Sequence, residues 1–136
     1  LPTPTKTGYS FDYWCSDAAL STKYTATTMP AENKVLYAKW TIKQYTITFN
    51  SNGGSACSAI TKDYGAAIDL PTPAKTGYSF EYWCSDAALN TKYTATTMPA
   101  ENKVLSAKWT IKQYTLTFDS NGGSACSAIT KDYGLP

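Results

Sequence analysis

The clearest pattern along the chain is an alternation of apolar residues and threonines at positions 45–49. Tyr45, Ile47 and Phe49 fall on one face, and the threonines fall on the other. This period of two predicts a β-strand with one buried face. The strand runs into an Asn-Gly-Gly sequence within residues 50–54, which supplies the positive-φ positions of a tight turn. Residues 56–64 follow as a second strand candidate, so the segment predicts a β-hairpin.

An aromatic strand is predicted at residues 78–84. Its alternation is interrupted at Trp83, which indicates a bulge or burial on both faces. A closing strand is predicted at residues 104–109, with Leu105, Ala107 and Trp109 on one face. Ser106 is therefore expected to face solvent.

Little helix is expected. Residues 66–70 could form a short helical turn before the prolines that follow, and residues 85–89 could form a capped single turn. The predicted fold class is therefore α+β, dominated by β-strands.

The chain repeats itself, because residues 1–65 recur as residues 70–134. Such self-similarity is the signature of a repeat architecture. The paired positions that differ are Thr5/Ala74, Asp12/Glu81, Ser21/Asn90, Tyr37/Ser106, Ile47/Leu116 and Asn50/Asp119. Near-identity is typical of arrays whose modules are interchangeable spacers rather than separately specialised sites.

Composition and charge exclude several functions. The chain of 136 residues has a formal net charge of +2, with isolated lysines and no histidine or arginine. Dispersed positive charge argues against a nucleic-acid partner. Without histidine, triad chemistry is excluded, so we predict no enzyme and no cofactor. No apolar run approaches the roughly 18 residues of a membrane span, and no signal peptide opens the chain, which is expected to be an internal part of a longer protein.

Three motifs resemble the Listeria–Bacteroides repeat of internalin-type and other bacterial surface proteins. They are the Phe-x-Ser-Asn-Gly-Gly turn at residues 49–54 and 118–123, Gly-Tyr-x-Phe-x-x-Trp at 8–14 and 77–83, and Ala-Lys-Trp at 38–40 and 107–109. The resemblance implies tandem, small, β-grasp-like modules with hairpins and little helix. It carries no catalytic, cofactor or metal residues to this chain.

The resemblance also implies the domain boundaries. Residues 45–113 would be one complete repeat unit, residues 1–44 the latter part of another, and residues 114–136 the opening hairpin of a further unit. Half a β-module leaves open strand edges. We therefore expect residues 114–136 to pair with residues 1–44, and two alternatives stay open: pairing within one chain, or between neighbouring chains as a filament.

The chain places Cys where the family has an ordinary apolar or aromatic residue. None of the four has the spacing of a zinc or redox motif. Within the implied unit, Cys57 and Cys84 lie on segments expected to be neighbours, and a disulfide closing about 27 residues would stabilise the fold by roughly 3 kcal/mol. Cys15 and Cys126 would pair if the two part-units dock. Free thiols in a reducing compartment are the alternative.

Together these observations predict a non-enzymatic structural module of an extracellular, cell-surface or secreted protein, acting as a stalk, spacer or fibre element. Its expected partners are copies of itself or neighbouring repeats. The alternative is an adhesin-type module that binds host protein or glycan. Most aromatic residues are expected to pack in the sheets, and Tyr37, which Ser106 replaces in the other copy, is the candidate for an exposed aromatic.

Overall fold

A computed structural model describes all residues from 1 to 136 and contains eight β-strands and no helix. The strands are β1 (Tyr9–Cys15), β2 (Tyr37–Ile42), β3 (Gln44–Asn50), β4 (Ile60–Asp63), β5 (Tyr78–Cys84), β6 (Lys103–Ile111), β7 (Gln113–Leu116) and β8 (Ile129–Asp132). The strands predicted at residues 45–49, 78–84 and 104–109 are all present.

The strands form three sheets: β1 with β2, a four-stranded sheet in the order β4-β3-β6-β5, and β7 with β8. The β5–β6 pair repeats the antiparallel register of β1–β2, with Phe80 opposite Trp109 as Phe11 is opposite Trp40. Both pairs carry a bulge just after that phenylalanine, slightly earlier than the interruption at Trp83 suggested. The β3–β6 pair is parallel.

Two compact units can be distinguished, each made of separated segments. One comprises residues 1–46, 61–68 and 95–102, and its buried hydrophobic residues are Cys15, Ile68 and Met98. The other comprises residues 47–60, 69–94 and 103–136; its buried hydrophobic residues are Ile47, Trp83, Cys84, Leu105 and Ala107, and Ser106 is buried beside them. The repeat boundaries after residues 44 and 113 remain predictions.

The predicted hairpin forms around its Asn-Gly turn. Asn52 and Gly53 have φ angles of 48° and 86°, and the Gly54 N–H donates to the Ser51 carbonyl at 3.1 Å. Asn and Gly tolerate this left-handed region better than other residues. The second strand starts at Ile60, later than predicted, so a short irregular segment follows the turn.

The helical part of the predicted α+β class is not confirmed. At residues 85–89, the Asp86 carboxylate accepts the backbone N–H groups of Asn90 and Thr91, and Leu89 adopts a φ of 60°. This side-chain bonding reverses the chain instead of starting a helix. Residues 66–68 are extended, because the Ile68 N–H donates to the Thr96 carbonyl at 3.0 Å. The structure is thus β-rich, and a β-grasp-like arrangement is not confirmed.

The expectation that position 106 faces solvent is wrong. Ser106 is only 5% exposed, because β6 is a central strand at this point. Cys84 of β5 lies opposite it on one side, and Asn50 of β3 lies opposite it on the other. The parallel partner β3 was not visible in the sequence pattern.

Candidate functional site: the junction between successive copies

The second copy of the repeat is built around a hairpin that belongs to the first. We name residues 1–42 the first block, 70–111 the second block, 44–64 the middle hairpin and 113–133 the closing hairpin. Residues 47–50 of the middle hairpin pair in parallel with residues 103–106 of the second block, with Phe49 opposite Leu105. A strand added in parallel must come from a distant part of the chain, and this addition buries Ile47 and Leu105 completely.

The turn of the middle hairpin is anchored by three hydrogen bonds to the second block. The Asn52 side-chain amide donates to the Ala107 carbonyl at 2.8 Å, and the Trp109 indole donates to the Ser51 carbonyl at 2.8 Å. The Lys75 ammonium donates to the Asn52 carbonyl at 3.0 Å. Because these bonds join groups of the turn to fixed positions on the second block, the turn is held in one register.

Aromatic packing accompanies these bonds. The Phe49 and Trp83 rings lie 4.7 Å apart between centroids, and the Trp83 indole donates to the Pro71 carbonyl at 2.8 Å. A Cβ at Gly54 would lie 2.5 Å from the Trp109 ring, so only glycine fits there. The family motifs quoted above therefore meet at one junction: the turn motif, the aromatic strand and the Ala-Lys-Trp end.

The middle hairpin and the residues directly after it also bond to the loop of the second block. The Gly65 N–H donates to the Met98 carbonyl at 2.9 Å, and the Met98 N–H donates to the Ala66 carbonyl at 2.8 Å. The Thr46 N–H donates to the Asn102 side chain at 2.8 Å. Met98 is almost completely buried where these bonds are made.

A second type of contact links each hairpin to the block before it. The Tyr64 N–H donates to the Lys43 carbonyl, and the Tyr64 ring lies so close to Gly8 that a Cβ there would overlap it. Tyr133 repeats both contacts with Lys112 and Gly77. This backward contact therefore occurs twice, whereas the forward contact of a hairpin with the following block occurs once.

The cysteines predicted to pair differ in burial. Cys15 and Cys84 end strands β1 and β5 and are fully buried, which raises the pKa of the Cys84 thiol through loss of solvation. Cys57 is half-buried and Cys126 is exposed, and each thiol lies 3.8 Å from a serine carbonyl two residues before it. All four are free thiols in the structure, and the pairings Cys57–Cys84 and Cys15–Cys126 remain predictions.

Two other polar or aromatic residues stand out, one at the start of a strand and one in a turn. Tyr37, the predicted exposed aromatic, lies at the start of β2 and is 39% exposed. The Ser21 hydroxyl, with the backbone N–H groups of Ser21 and Thr22, lowers the pKa of Asp17 to about 2. No set of three or more Cys, Asp or Glu side chains could hold a metal ion, and no helix could cross a bilayer.

The sequence did not reveal the junction residues as contacts. Asn52 and Trp109 belong to recognisable motifs, but their partners lie 55 and 58 positions away in the chain. One signal could have indicated the junction: three motifs of one repeat contain residues with no evident local role. Met98 gave no signal, because Met29 occupies the same local sequence in the other copy.

Comparison with known proteins agrees with the motifs. A putative membrane protein of Evansella cellulosilytica is 41% identical over 134 residues, which are 96% of this chain and 20% of that protein. Internalin H of Listeria monocytogenes is 38% identical over 112 residues, which are 79% of this chain and 20% of that protein. The chain thus spans about a fifth of the length of these curated relatives, and no solved structure matches it.

The family model for the Listeria-Bacteroides repeat domain matches residues 1–39 and 45–108. These ranges contain most of both blocks and of the middle hairpin, including the turn motif and the aromatic strand that meet at the junction. The resemblance seen in the sequence is confirmed, and this chain belongs to the Listeria–Bacteroides repeat family.

Proposed function

We propose that this chain is a non-enzymatic structural module of an extracellular or cell-surface protein, in which repeats in series form a stalk or spacer. The observation that carries the proposal is the parallel pairing of the middle hairpin with the second block. Each copy supplies the strand that completes the next, so the joint between copies is a sheet rather than a flexible linker. Arrays stabilised by nearest-neighbour interfaces provide length.

The length of longer arrays tests this role. In chains carrying two, four and six copies, small-angle X-ray scattering should give a maximum dimension that increases by a constant amount per copy. A chain that packs as one globule would instead grow only as about the 0.38 power of its residue number. The globular scaling would contradict the spacer function.

The extracellular part of the proposal is supported by the repeat family and by the similarity to internalin H and to a putative membrane protein, and the cysteines offer a test of it. A small module gains stability from a staple, and Cys57–Cys84 and Cys15–Cys126 are the pairs we propose. Intact-mass measurement of the native material after thiol alkylation, without reduction, should show no alkylated cysteine. Peptide mapping should then show these two pairs, and four alkylated thiols would contradict the oxidising location.

An adhesin role is the second candidate, and the observation that favours it is the exposure of Tyr37. Aromatic side chains can supply a large contact area at a recognition surface. Screening the chain against glycans and host surface proteins should then find a ligand whose binding Tyr37→Ala weakens. If Tyr37→Ala leaves the binding of every ligand unchanged, Tyr37 has no recognition role.

Assembly of separate chains into a filament by strand complementation is the finer form of the structural proposal. It requires that one chain's closing hairpin meet another chain's first block.

A further inference from the structure

A groove of the same kind lies in each block. Its volume is about 560 Å³ in the second block and about 580 Å³ in the first, which is within the size range of ligand-binding pockets. In the second block the charged and aromatic lining residues are Lys75, Tyr78, Phe80, Trp109 and Lys112. The first block has the same residue types at the corresponding positions, so the groove is a feature of the repeat.

The groove stays open where neighbouring segments of the array are in place. The second block already carries the turn of the hairpin before it, because the Lys75 ammonium donates to the Asn52 carbonyl at 3.0 Å. The first block already carries the loop of the repeat after it, because Ala100 borders its groove. Neither the preceding hairpin nor the following repeat therefore fills the groove.

One wall of the groove holds a positive charge in a fixed place. The Lys75 ammonium lies 4.2 Å from the centroid of the Tyr78 ring and 5.8 Å from that of Trp109. In the first block, the Lys6 ammonium lies 4.0 Å from the Tyr9 ring and 5.9 Å from the Trp40 ring. The cation–π geometry is thus nearly the same in both copies, and the site is preformed.

The charge of the groove has one sign. A second lysine lines each groove, Lys112 in the second block and Lys43 in the first, and both are exposed. No aspartate or glutamate lines either groove. Two ammonium groups without a neighbouring carboxylate attract an anion.

Hydroxyl groups and aromatic rings complete the lining. Thr72, Thr76 and Ser79 are exposed at the second groove, beside the half-buried rings of Tyr78 and Trp109. A sugar ring presents apolar C–H groups on one face and hydroxyl groups around its edge, which matches rings and hydroxyls placed together. An acidic peptide would use the lysines but has no comparable set of hydroxyl groups.

We propose that each groove binds an acidic glycan, whose sugar rings carry carboxylate groups. The lysines would contact the carboxylates, and the hydroxyl and aromatic residues would contact the sugar ring. The inference goes beyond the spacer role. It rests on the recognition candidate, to which it gives a ligand class and a surface that does not include Tyr37. Because every repeat carries the groove, an array would engage a polymeric glycan at several points.

An NMR titration of the isotope-labelled 136-residue chain with trigalacturonic acid tests the proposal. At about 0.15 M salt, which screens charges more than about 8 Å apart, the indole N–H signals of Trp40 and Trp109 and the amides of Ser10 and Ser79 should shift. Both grooves should respond, since both have the same lining. Galactotriose, which lacks the carboxylates, and triglutamate, which lacks the sugar rings, should each bind on the order of 10-fold more weakly.

Charge reversal at the exposed lysines tests the surface. The double variant Lys43→Glu with Lys112→Glu should weaken trigalacturonic acid binding by on the order of 10-fold, because an attraction between charges becomes a repulsion. The matched control is Lys23→Glu with Lys92→Glu, which has the same formal net charge. Those lysines are exposed and lie over the Tyr13 and Tyr82 rings, outside the grooves, so binding should be unchanged. Circular dichroism checks that both variants remain folded.

Three results would overturn the proposal. One is the absence of shifts at both grooves with trigalacturonic acid. Another is equal binding of triglutamate or galactotriose, which would mean that charge alone or the sugar ring alone is recognised. The third is an equal loss of binding in the two double variants, which would assign the effect to overall charge. None of these would change the dimension per repeat in longer arrays, and Tyr37→Ala tests the other recognition surface separately.

Discussion

Met29 and Met98 occupy the same local sequence, Thr-Thr-Met-Pro-Ala-Glu-Asn-Lys-Val-Leu, in two copies of one repeat. One is exposed and the other is buried. The backbone beside Met98 pairs with Gly65 and Ala66, whereas Met29 has no such neighbour. The comparison shows that burial in this protein is a property of the junction between a hairpin and the following block, not of the block's own sequence.

The largest difference in stability between corresponding substitutions is expected at Ile47 of the middle hairpin and its counterpart Leu116 of the closing hairpin. Ile47→Ala should lower the free energy of unfolding by about 2–4 kcal/mol, because it leaves a cavity in the core. Leu116→Ala should change it by less than about 0.5 kcal/mol, because that side chain is largely exposed. Urea denaturation of the monomeric chain measures both, and equal losses would contradict the junction as the source of burial.

Substitutions at the backward contact should lower the free energy of unfolding by similar amounts in the two copies. Gly8→Ala and Gly77→Ala should each cost about 2–3 kcal/mol, because both the left-handed φ and the tyrosine ring oppose a Cβ. Gly65→Ala is the matched control: its φ is 77°, but nothing lies near the Cβ, so it should cost only about 1 kcal/mol.

A double-mutant cycle separates the two causes at Gly8. If the ring is responsible for the additional cost, Tyr64→Ala should remove that part, and the combined variant should be less destabilised than the sum of the single variants. Additive effects would assign the whole cost to the backbone.

The anchoring of the turn offers a smaller test of the same asymmetry. Asn52→Asp removes the amide that donates to the Ala107 carbonyl, so it should cost about 1 kcal/mol. Asn121→Asp changes an exposed counterpart and should have almost no effect on the monomer. Thermal denaturation can compare them, since Asp tolerates the left-handed φ that both positions adopt.

The smallest expected effect concerns a turn that is independent of the junction. The pKa of Asp17 is lowered from 3.8 to about 2, so its stabilising contribution is present above about pH 4 and is lost as the pH falls towards about 2. Ser21→Asn, the residue of the second copy at this site, removes the hydroxyl donor. NMR titration should then show a higher Asp17 pKa that remains below 3.8, because the backbone donors stay.

If the Asp17 pKa did not move in Ser21→Asn, the hydroxyl would not be its main determinant. Asp86 provides the comparison within the same molecule, since its pKa is lowered mainly by the backbone N–H groups of Asn90 and Thr91, with no side-chain hydroxyl donor.

Strands and turns were predictable because their signals are local. The alternation at residues 45–49 and the Asn-Gly turn led to β3 and its reversal, and the aromatic pattern led to β5. The expected helical turn at residues 85–89 failed for a local reason: Asp86 can start a helix or close a turn, and its two acceptor bonds to Asn90 and Thr91 decide for the turn. The one at residues 66–70 failed for a non-local reason, because Ile68 bonds to Thr96.

The candidate site was predictable only in its parts. The family motifs contain Asn52, Gly54, Trp83 and Trp109, but no pattern indicates that they meet, because a parallel strand pair has no short connection to mark it. Ser106 shows the consequence. The alternation predicted that it faces solvent, but the parallel pairing of β6 with β3 buries it.

The sequence by itself determined the repeat, the family, the strand positions and the absence of histidine chemistry, since these depend on residue type and spacing alone. Only the tertiary structure decided which strand completes which block, and therefore which of two identical side chains is buried. The physical reason is that the apolar face of a hairpin has no partner within the hairpin itself. Its burial depends on a surface supplied by residues more than 50 positions away in the chain.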